Sequence, residues 1–398
     1  MRIEDFRDET TDEGRRLLAE VRFEDTDRAD GTLWFAAPPP HAEGMVLQPD
    51  PFVLASLPAA VAAGERRVHV DGSLDTVLAR SLDEAMSLLT EWYPEASRVR
   101  LEAAGGTRAR RPMQARRHGL FFSGGVDAMA ALREDLLDLP RDHPGAVQDA
   151  FLVFGLNTYD HREDGTPDAG RVRVYEWHAR RLRAFLAPLG IDLVAVGTNA
   201  RTLYPTWQAF YRFGFGGVMG GIAAAFAGRT SDMWLASDGV GNDPHPASSH
   251  PLIEPLFRTS QVALRVANPS RSRLDKVRLL SEWLPGLRHL RTCLHHDLQA
   301  VGTMNCGRCE KCIRTMLELE ACGALDRAES FDPRWLTVDA IHDIPMDFVR
   351  RPYYGEDLQR ALILRGRDDL VRAVQRRIAR YEKRLRRERR KKRRTGLY

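Results

Sequence analysis

Residues 118–132 have the residue types of a binding site for an anion. A short apolar run passes through three small residues into a helical pattern, in the order Leu120, Phe121, Phe122, Ser123, Gly124, Gly125, Val126 and Asp127. A strand that turns directly into a helix offers unpaired backbone N–H groups and the positive end of the helix dipole. The two glycines let a phosphate approach the backbone closely. Asp127 would repel a bare phosphate, so we expect it beside Mg²⁺ or a protonated leaving group.

Four cysteines in the last third of the chain have the spacing of a metal site. Cys306, Cys309 and Cys312 form a CxxCxxC pattern, and Cys293 precedes them by a short loop. Thiolates spaced by two residues can bind one ion, and a fourth ligand completes a tetrahedron, so we expect Zn²⁺ on these four residues. The reserve ligands in place of Cys293 are His295 and His296. Buried thiols without a metal and an iron–sulfur cluster are the alternatives.

The sequence SGGVDA closely resembles the SGGxDS loop of the PP-loop ATP pyrophosphatases, a superfamily that splits ATP into AMP and pyrophosphate. The resemblance implies that ATP and Mg²⁺ bind at this turn, with Ser123 and Asp127 as catalytic residues. The nucleotide-binding residues that it implies are Phe122, Ser123, Gly124, Gly125, Val126, Asp127 and Arg273. Ala128 stands where the superfamily usually has serine, so one hydroxyl that contacts phosphate is missing. An ordinary glycine turn is the alternative.

Two cations at the start of a later helix could neutralise a phosphate or an adenylate. Arg273 and Lys276 lie in the sequence SRLDK, and PP-loop enzymes often have a lysine in this region. The resemblance therefore adds Lys276 to the catalytic residues and Arg273 to those that bind the nucleotide. Two solvated charges at a helix start are an equally good interpretation.

The turn and the cysteine pattern together are most similar to the 7-cyano-7-deazaguanine synthase (QueC-like) family of the queuosine precursor pathway, over about residues 118–320. Members of that family use ATP to activate a carboxylate and convert it through an amide to a nitrile. This chain differs at Ala128, in the longer gap between Cys293 and Cys306, and in its added N- and C-terminal regions. We therefore expect a paralogue that acts on another carboxylate-like small molecule, or that modifies a protein or an RNA.

Other nucleotide-binding motifs are missing from the sequence. The chain has no Gly-Lys dipeptide and hence no GxxxxGK[ST] loop. The glycines at 214, 216, 217, 220 and 221 have the wrong spacing for a dinucleotide fingerprint. We expect them to let a helix pack closely against a neighbour.

The composition is that of a protein with two or more domains and no membrane span. The chain has 398 residues, of which 43% are hydrophobic. No apolar run approaches the roughly 20 residues that cross a bilayer. Residues 1–14 lack the apolar core of a signal peptide, so we expect a cytoplasmic location and no membrane partner.

Charge is divided unevenly along the chain. Residues 376–394 contain thirteen Lys or Arg against two Glu, so this segment carries +11 and the rest of the chain −7 of the net +4. We expect a tail that is helical in propensity but too charged to pack. It could bind nucleic acid through phosphates, dock on the acidic body of the protein, or stay solvated.

Alternating strand and helix patterns predict an α/β fold with a Rossmann-like parallel sheet of the PP-loop/HUP type. Strands are expected over 150–155, 191–196 and 233–236, and each ends in small or polar residues that could line a ligand crevice. The expected domains are 1–112 (small N-terminal α/β), 113–325 (PP-loop, with the metal site), 326–370 (helical C-terminal region) and 371–398 (basic tail).

A polar, proline-rich loop at 239–256 follows the last of these strands. A loop of this length inside a compact domain is often functional. Its candidate acid, base or substrate contacts are Asp243, His245, His250 and Glu254. The same side chains could instead brace the loop.

These observations predict an enzyme that adenylylates a carboxylate or a similar oxygen with ATP, releases pyrophosphate, and lets a nitrogen nucleophile displace AMP. A tRNA-thiolating PP-loop enzyme is one alternative, because the basic tail suits RNA and a reactive cysteine could handle sulfur. Another alternative is a degenerate nucleotide-binding module that binds nucleic acid through the metal site and the tail, and Ala128 favours this alternative.

Overall fold

A computed structural model describes residues 1–394 except 40, 112–116, 157–165, 238–245, 294–303 and 348. The chain divides into two compact units. The sheet unit comprises the described parts of Met1–Ser123, Glu134–Gly239 and Asp243–Ser270. The cysteine unit comprises Gly124–Arg133 and the described part of Arg271–Tyr398.

The sheet unit is built on strands that follow one another along most of its length. The described strands are β1 (Arg2–Thr11), β2 (Gly14–Arg22), β3 (Gly31–Ala37), β4 (Arg67–Val70), β5 (Leu74–Asp75), β6 (Arg100–Ala103), β7 (Thr107–Arg108), β8 (Arg117–Phe121), β9 (Val147–Phe154), β10 (Asp192–Thr198), β11 (Thr230–Ala236) and β12 (Ala263–Ala267). Ten of them form one sheet in the order β12-β11-β8-β9-β10-β3-β2-β1-β4-β6. The predicted α/β class with a mostly parallel, Rossmann-like sheet is confirmed.

The half of the sheet from β12 to β10 is parallel throughout. Its first strand in the chain, β8, lies in the middle, with β9 and β10 on one side and β11 and β12 on the other. The chain therefore adds strands on one side of β8 as far as β10 and then crosses to the other side for β11, so the winding of the sheet reverses between β8 and β11. In open α/β sheets, ligands bind beyond the carboxyl ends of the strands at such a switch point. The Ser-Gly-Gly turn follows β8 directly and so begins at this edge of the sheet.

The N-terminal strands extend the same sheet. Strand β3 pairs antiparallel with β10, and β2, β1, β4 and β6 follow in turn. The charged segment Arg2–Thr11 did not predict a strand, but β1 and β2 are paired with cross-strand salt bridges such as Arg7–Glu20. The predicted boundary at residue 112 lies between strands of one continuous sheet, and the four domain ranges stay predictions.

The helices follow the sequence pattern closely at their ends. The described helices are α1 (Pro49–Ala63), α2 (Thr76–Trp92), α3 (Val126–Asp138), α4 (Ala169–Leu186), α5 (Trp207–Ala209), α6 (Phe215–Ala225), α7 (Arg273–Ser281), α8 (Leu284–His289), α9 (Glu310–Ala321), α10 (Val338–Asp343), α11 (Glu356–Leu364) and α12 (Asp368–Arg394). Helix α2 begins where the Asp75 carboxylate accepts from two backbone N–H groups, and the Ser272 hydroxyl caps α7 by accepting from the N–H of Asp275. None of the described helices has the length and apolarity to cross a bilayer.

The basic tail packs over half of its length, contrary to the sequence-based expectation. Its apolar residues recur at helical spacing and are buried: Leu370, Val371, Val374, Ile378 and Tyr381. They lie on α12 against α10 and α11. Arg377 and Arg384 donate to the backbone oxygens of Ile344 and Met346 at 2.8 and 3.1 Å. The charge count concealed this stripe, and the side chains of residues 386–391 are exposed.

Two glycines of α6, Gly217 and Gly221, face the backbone of α1, and this close helix packing agrees with the prediction from the sequence. A Cβ atom on Gly217 would lie 2.5 Å from the backbone oxygen of Leu54 and 2.8 Å from Cγ of Pro58. One on Gly221 would lie 2.7 Å from the backbone oxygen of Pro51. These residues are glycine because a side chain would push the two helices apart.

We predict that Gly217→Ala lowers the free energy of unfolding by about 1–3 kcal/mol, because the new methyl group has no room. Gly31→Ala is the matched control, since a Cβ atom there meets nothing within 4 Å. It should change the same quantity by less than about 0.5 kcal/mol. Urea unfolding measures both. Equal midpoints for the two variants would contradict the close helix contact.

Candidate metal centre and anion-binding turn

The turn after β8 has the backbone geometry that its glycines suggested. The N–H of Phe122 still donates to the backbone oxygen of Phe151 at 2.8 Å, so the strand pairing ends there. Gly124 then has a φ of +72°, a conformation that favours glycine. The first turn of α3 closes where Met129 donates to the backbone oxygen of Gly125 at 2.8 Å. Ser123 is exposed at the outside of this turn.

Asp127, one residue into α3, is held by two cations from α7. Lys276 Nζ lies 3.0 Å from one carboxylate oxygen, and an Arg273 guanidinium nitrogen lies 3.3 Å from the other. The side chain of Lys276 is fully buried and that of Arg273 nearly so. The structure therefore brings together three of the residues that the sequence proposed for ATP chemistry. Two solvated charges at a helix start, the alternative for Arg273 and Lys276, do not describe this arrangement.

Arg273 is also bound by α9, which the sequence analysis did not include in the site. Its Nε lies 3.1 Å from both carboxylate oxygens of Glu318, and its NH2 group donates to Thr315 Oγ1 at 3.1 Å. At the start of the same helix, Glu310 accepts a hydrogen bond from the Tyr354 hydroxyl at 2.8 Å, and Arg314 lies 3.5 Å from the same carboxylate. Charged residues every four positions, at 310, 314 and 318, were the signal in the sequence.

The surrounding charges fix the ionisation of this cluster. Burial alone would raise the pKa of Asp127, but the charges of Lys276 and Arg273 outweigh it and lower the pKa to about 2. For Glu318, burial is the stronger effect, and its pKa is raised despite Arg273. Asp127 is thus an anion at neutral pH. Its ionisation stabilises the folded state above about pH 4, and this contribution is lost as the pH falls toward 2.

The four predicted cysteines come together around one point. Their Sγ atoms all lie within 4.8 Å of one another. Three of the separations are 3.4 Å (Cys309–Cys312), 3.8 Å (Cys306–Cys312) and 3.9 Å (Cys293–Cys309). A tetrahedral site with Zn–S bonds of about 2.3 Å requires sulfur atoms about 3.8 Å apart. The group could therefore hold a metal ion, such as zinc, and the fifth cysteine, Cys322, is not part of it.

The backbone around Cys306 is shaped for a thiolate. Gly307 has a φ of +72°, which turns the N–H groups of Arg308 and Cys309 toward Cys306 Sγ at 3.5 and 3.3 Å. Hydrogen bonds from the neighbouring thiols, together with the Arg308 N–H, lower the pKa of Cys306. A metal requires the deprotonated ligand, so this turn prepares the site for binding.

Asn305 braces the metal site and was missed in the sequence. Its side-chain oxygen accepts from the N–H groups of Thr292 and Cys293 at 2.8 and 3.2 Å. Its side-chain nitrogen donates to the backbone oxygens of Leu290 and Ser330 at 2.9 and 3.0 Å. The Asn305 amide thus connects the segment that carries Cys293 to the segment that carries the other three cysteines. No spacing rule identifies such a residue, because its partners are distant in sequence.

Several other predicted contacts have structural partners or lie outside the described residues. Thr198 and Asn199, at the end of β10, bind the backbone of β3 rather than line a crevice. His250 stacks edge-on against Trp92 at 5.0 Å, and Glu254 is buried. The candidates outside the described residues are Asp243, His245, His295 and His296.

Comparison of the chain with models of protein families, with curated proteins and with solved structures finds no match. The fold, the turn and the cysteine group therefore carry the functional argument.

We predict that Cys309→Ser removes bound metal and lowers the thermal midpoint of the cysteine unit, because a hydroxyl is a poor substitute for a thiolate ligand. Cys322→Ser is the matched control, since Cys322 lies outside the group. Metal content by elemental analysis and thermal unfolding measure the two effects. One full equivalent of metal in Cys309→Ser would show that these thiols are not its ligands.

Proposed function

We propose that the protein is an ATP pyrophosphatase of the PP-loop type that activates a carboxylate or a similar oxygen by adenylylation. The observation that carries the proposal is the Ser-Gly-Gly-x-Asp turn at the winding reversal between β8 and β11, with Asp127 anchored to Lys276 and Arg273. Phosphates bind well to glycine-rich turns at helix N-termini. Buried cations beside such a turn would stabilise the charge that develops on pyrophosphate as it leaves.

The proposed reaction has two steps. In the first, an oxygen of the substrate carboxylate attacks the α-phosphorus of ATP, and the bond from that phosphorus to the pyrophosphate oxygen breaks. In the second, a nitrogen nucleophile attacks the activated carbonyl carbon, loses a proton, and expels AMP. Such chemistry needs positioning and charge stabilisation more than acid–base catalysis by the protein.

The turn and the two cations have separate parts in this scheme. Ser123, Gly124 and Gly125 hold the pyrophosphate, and Lys276 and Arg273 neutralise it. Asp127 keeps both cations in place, because each of its carboxylate oxygens already has a cationic partner. We therefore assign it a positioning role. Mg²⁺, when bound, would neutralise phosphate charge, and it commonly binds through the phosphates with only one or two carboxylates.

For the cysteine group we propose a structural zinc. All four ligands come from the protein and three of them are buried, so the arrangement leaves no position for a substrate. Thiols must stay reduced to bind the ion, which suits a cytoplasmic protein. Iron with inorganic sulfide in anaerobically purified protein would instead favour the tRNA-thiolation alternative.

We predict that Asp127→Asn lowers the rate of pyrophosphate release from ATP, with candidate carboxylates present, by at least about 100-fold. Asp138→Asn is the matched control, because Asp138 is exposed on the same helix, and it should stay within about twofold of wild type. Ser123→Ala gives a second test that leaves the buried charges intact.

The readout is pyrophosphate formation, with thermal unfolding as the check on folding. Asp127→Asn removes one carboxylate from two buried cations, so the thermal midpoint of this variant is measured first. Unchanged release by both Asp127→Asn and Ser123→Ala would refute the assignment of this turn. ATP binding without any turnover in the wild type would favour the degenerate module.

We propose nucleic acid as the partner of the outer half of α12. The cations of residues 386–391 are exposed, and the apolar stripe of the helix is already covered by α10 and α11. A membrane-binding helix needs a free apolar face, whereas phosphates need only the charges. Arginine predominates, and its planar guanidinium suits phosphate oxygens.

We predict that replacing Arg386, Arg387, Arg389 and Arg390 with glutamine weakens binding to mixed tRNA and duplex DNA. Four lost phosphate contacts should reduce the slope of log K against log salt by about 3–4. A variant with Arg66→Gln and Arg334→Gln, which neutralises exposed cations elsewhere, is the control. Fluorescence anisotropy at several salt concentrations measures the slope. Identical slopes in all three proteins would exclude this role. Truncation at Leu370 is unsuitable, because it removes buried residues of α12.

A further inference from the structure

A pocket of about 530 Å³ lies beside the metal site, within the cysteine unit. One wall is the turn and helix start at 307–313, and the other is the segment 334–350. The volume falls within the range of about 300–1,000 Å³ that is common for small-molecule sites. The second wall belongs to the region beyond residue 320, which the resemblance does not cover. Neither the turn after β8 nor the proposed adenylylation uses this pocket.

The charged side chains of the pocket are unequally paired. Among its four cations, Arg350 pairs with Asp347 and approaches Glu310, and Arg334 pairs with Asp332. The other two, Arg308 and Lys311, form no salt bridge with any carboxylate in the described part of the chain. Among the described residues, the acidic side chains that line the pocket are Glu310 and Asp343. The cationic side chains of the lining therefore outnumber its carboxylates by two, and Arg308 and Lys311 are the two that can meet an anionic ligand.

Trp335 gives the same pocket a flat wall. Its side chain remains 39% exposed and is therefore accessible to a ligand. The Arg308 guanidinium stacks on the indole with 4.0 Å between its central carbon and the ring centroid. Gly307 packs against the ring edge so closely that a Cβ atom would lie 2.6 Å from Trp Cδ1. The turn that carries Cys306 and Cys309 thus fixes the position of the indole.

We propose that this pocket binds an anionic small molecule that carries a flat ring, a nucleotide or an aromatic carboxylate. Arg308 and Lys311 bind the anionic group, and Trp335 packs on the ring. Stacking on an aromatic face binds the ring, and charge-assisted hydrogen bonds bind the anionic group. The two kinds of contact act on different parts of the ligand, so both contribute to the affinity. The metal site acts indirectly, by holding the backbone of the turn.

Isothermal titration of metal-loaded, full-length protein tests the site with four probes: AMP, benzoate, adenosine and inorganic phosphate. AMP or benzoate should bind. Binding of AMP would indicate a nucleotide, and binding of benzoate an aromatic carboxylate. Adenosine lacks the anion and phosphate lacks the ring, so each should bind at least about tenfold more weakly. Equal binding of AMP and adenosine, or no binding of either AMP or benzoate, would overturn the proposal.

Two variants locate the binding. Arg308→Gln and Trp335→Leu should each lower the affinity for the probe that binds by about tenfold or more. The metal content should stay unchanged, because neither side chain is a metal ligand. Arg372→Gln, on the exposed face of α12, is the matched control and should bind as wild type does. Lys276→Met should leave this affinity unchanged, which separates the pocket from the ATP site of the proposed function. Equal affinity in Arg308→Gln, Trp335→Leu and wild type would place the ligand elsewhere and refute the proposal.

Discussion

The buried charge of Arg273 is the constraint on which much of the cysteine unit depends. A guanidinium keeps its proton in proteins, so burial obliges the fold to supply anions and acceptors around it. Helix α9 supplies Glu318 and Thr315, and the start of α3 supplies Asp127. Removing an anion from such a group typically costs about 3–5 kcal/mol, because a buried charge is left without a partner. Three segments far apart in sequence are thereby held in one arrangement.

Helix α9 connects this charged group to the metal site. Cys309 lies at its N-terminus and Cys312 in its first turn, while Glu310, Arg314 and Glu318 follow at intervals of four residues. Ligation of the cysteines would therefore fix the orientation of the helix that holds Arg273. A structural metal would then stabilise the arrangement of α9 and Arg273 beside the glycine turn. Asn305 extends the same bracing to the segment that carries Cys293.

The sheet order explains why the glycine turn is a better candidate for phosphate binding than other glycine-rich stretches. The turn follows the central strand β8, next to the reversal of winding, where neighbouring strand ends diverge and leave room for a ligand. The glycines of α6 are more numerous, but they lie against α1 or against Ser248 and Phe257 and have no space for a phosphate. Glycine serves the turn through its φ angle and serves α6 through its size.

The sequence by itself determined the fold class, the position of the glycine turn and the cysteine group. These features depend on local patterns: apolar runs, helical spacing, capping residues and a CxxCxxC repeat. It did not predict β1 or β12, because a charged or short strand is recognisable only beside its partner. It also overestimated the solvation of the tail, since the summed charge concealed a buried stripe on α12.

Only the tertiary structure decided which charges meet. Arg273 and Lys276 were equally consistent with solvated positions, and contact with Asp127, some 146 and 149 positions away, resolved that choice. Asn305, Glu318 and the wall formed by Trp335 were absent from the sequence-based site for the same reason. Pairing between distant residues depends on how helices and strands are placed in three dimensions, and no local pattern in the chain records that placement.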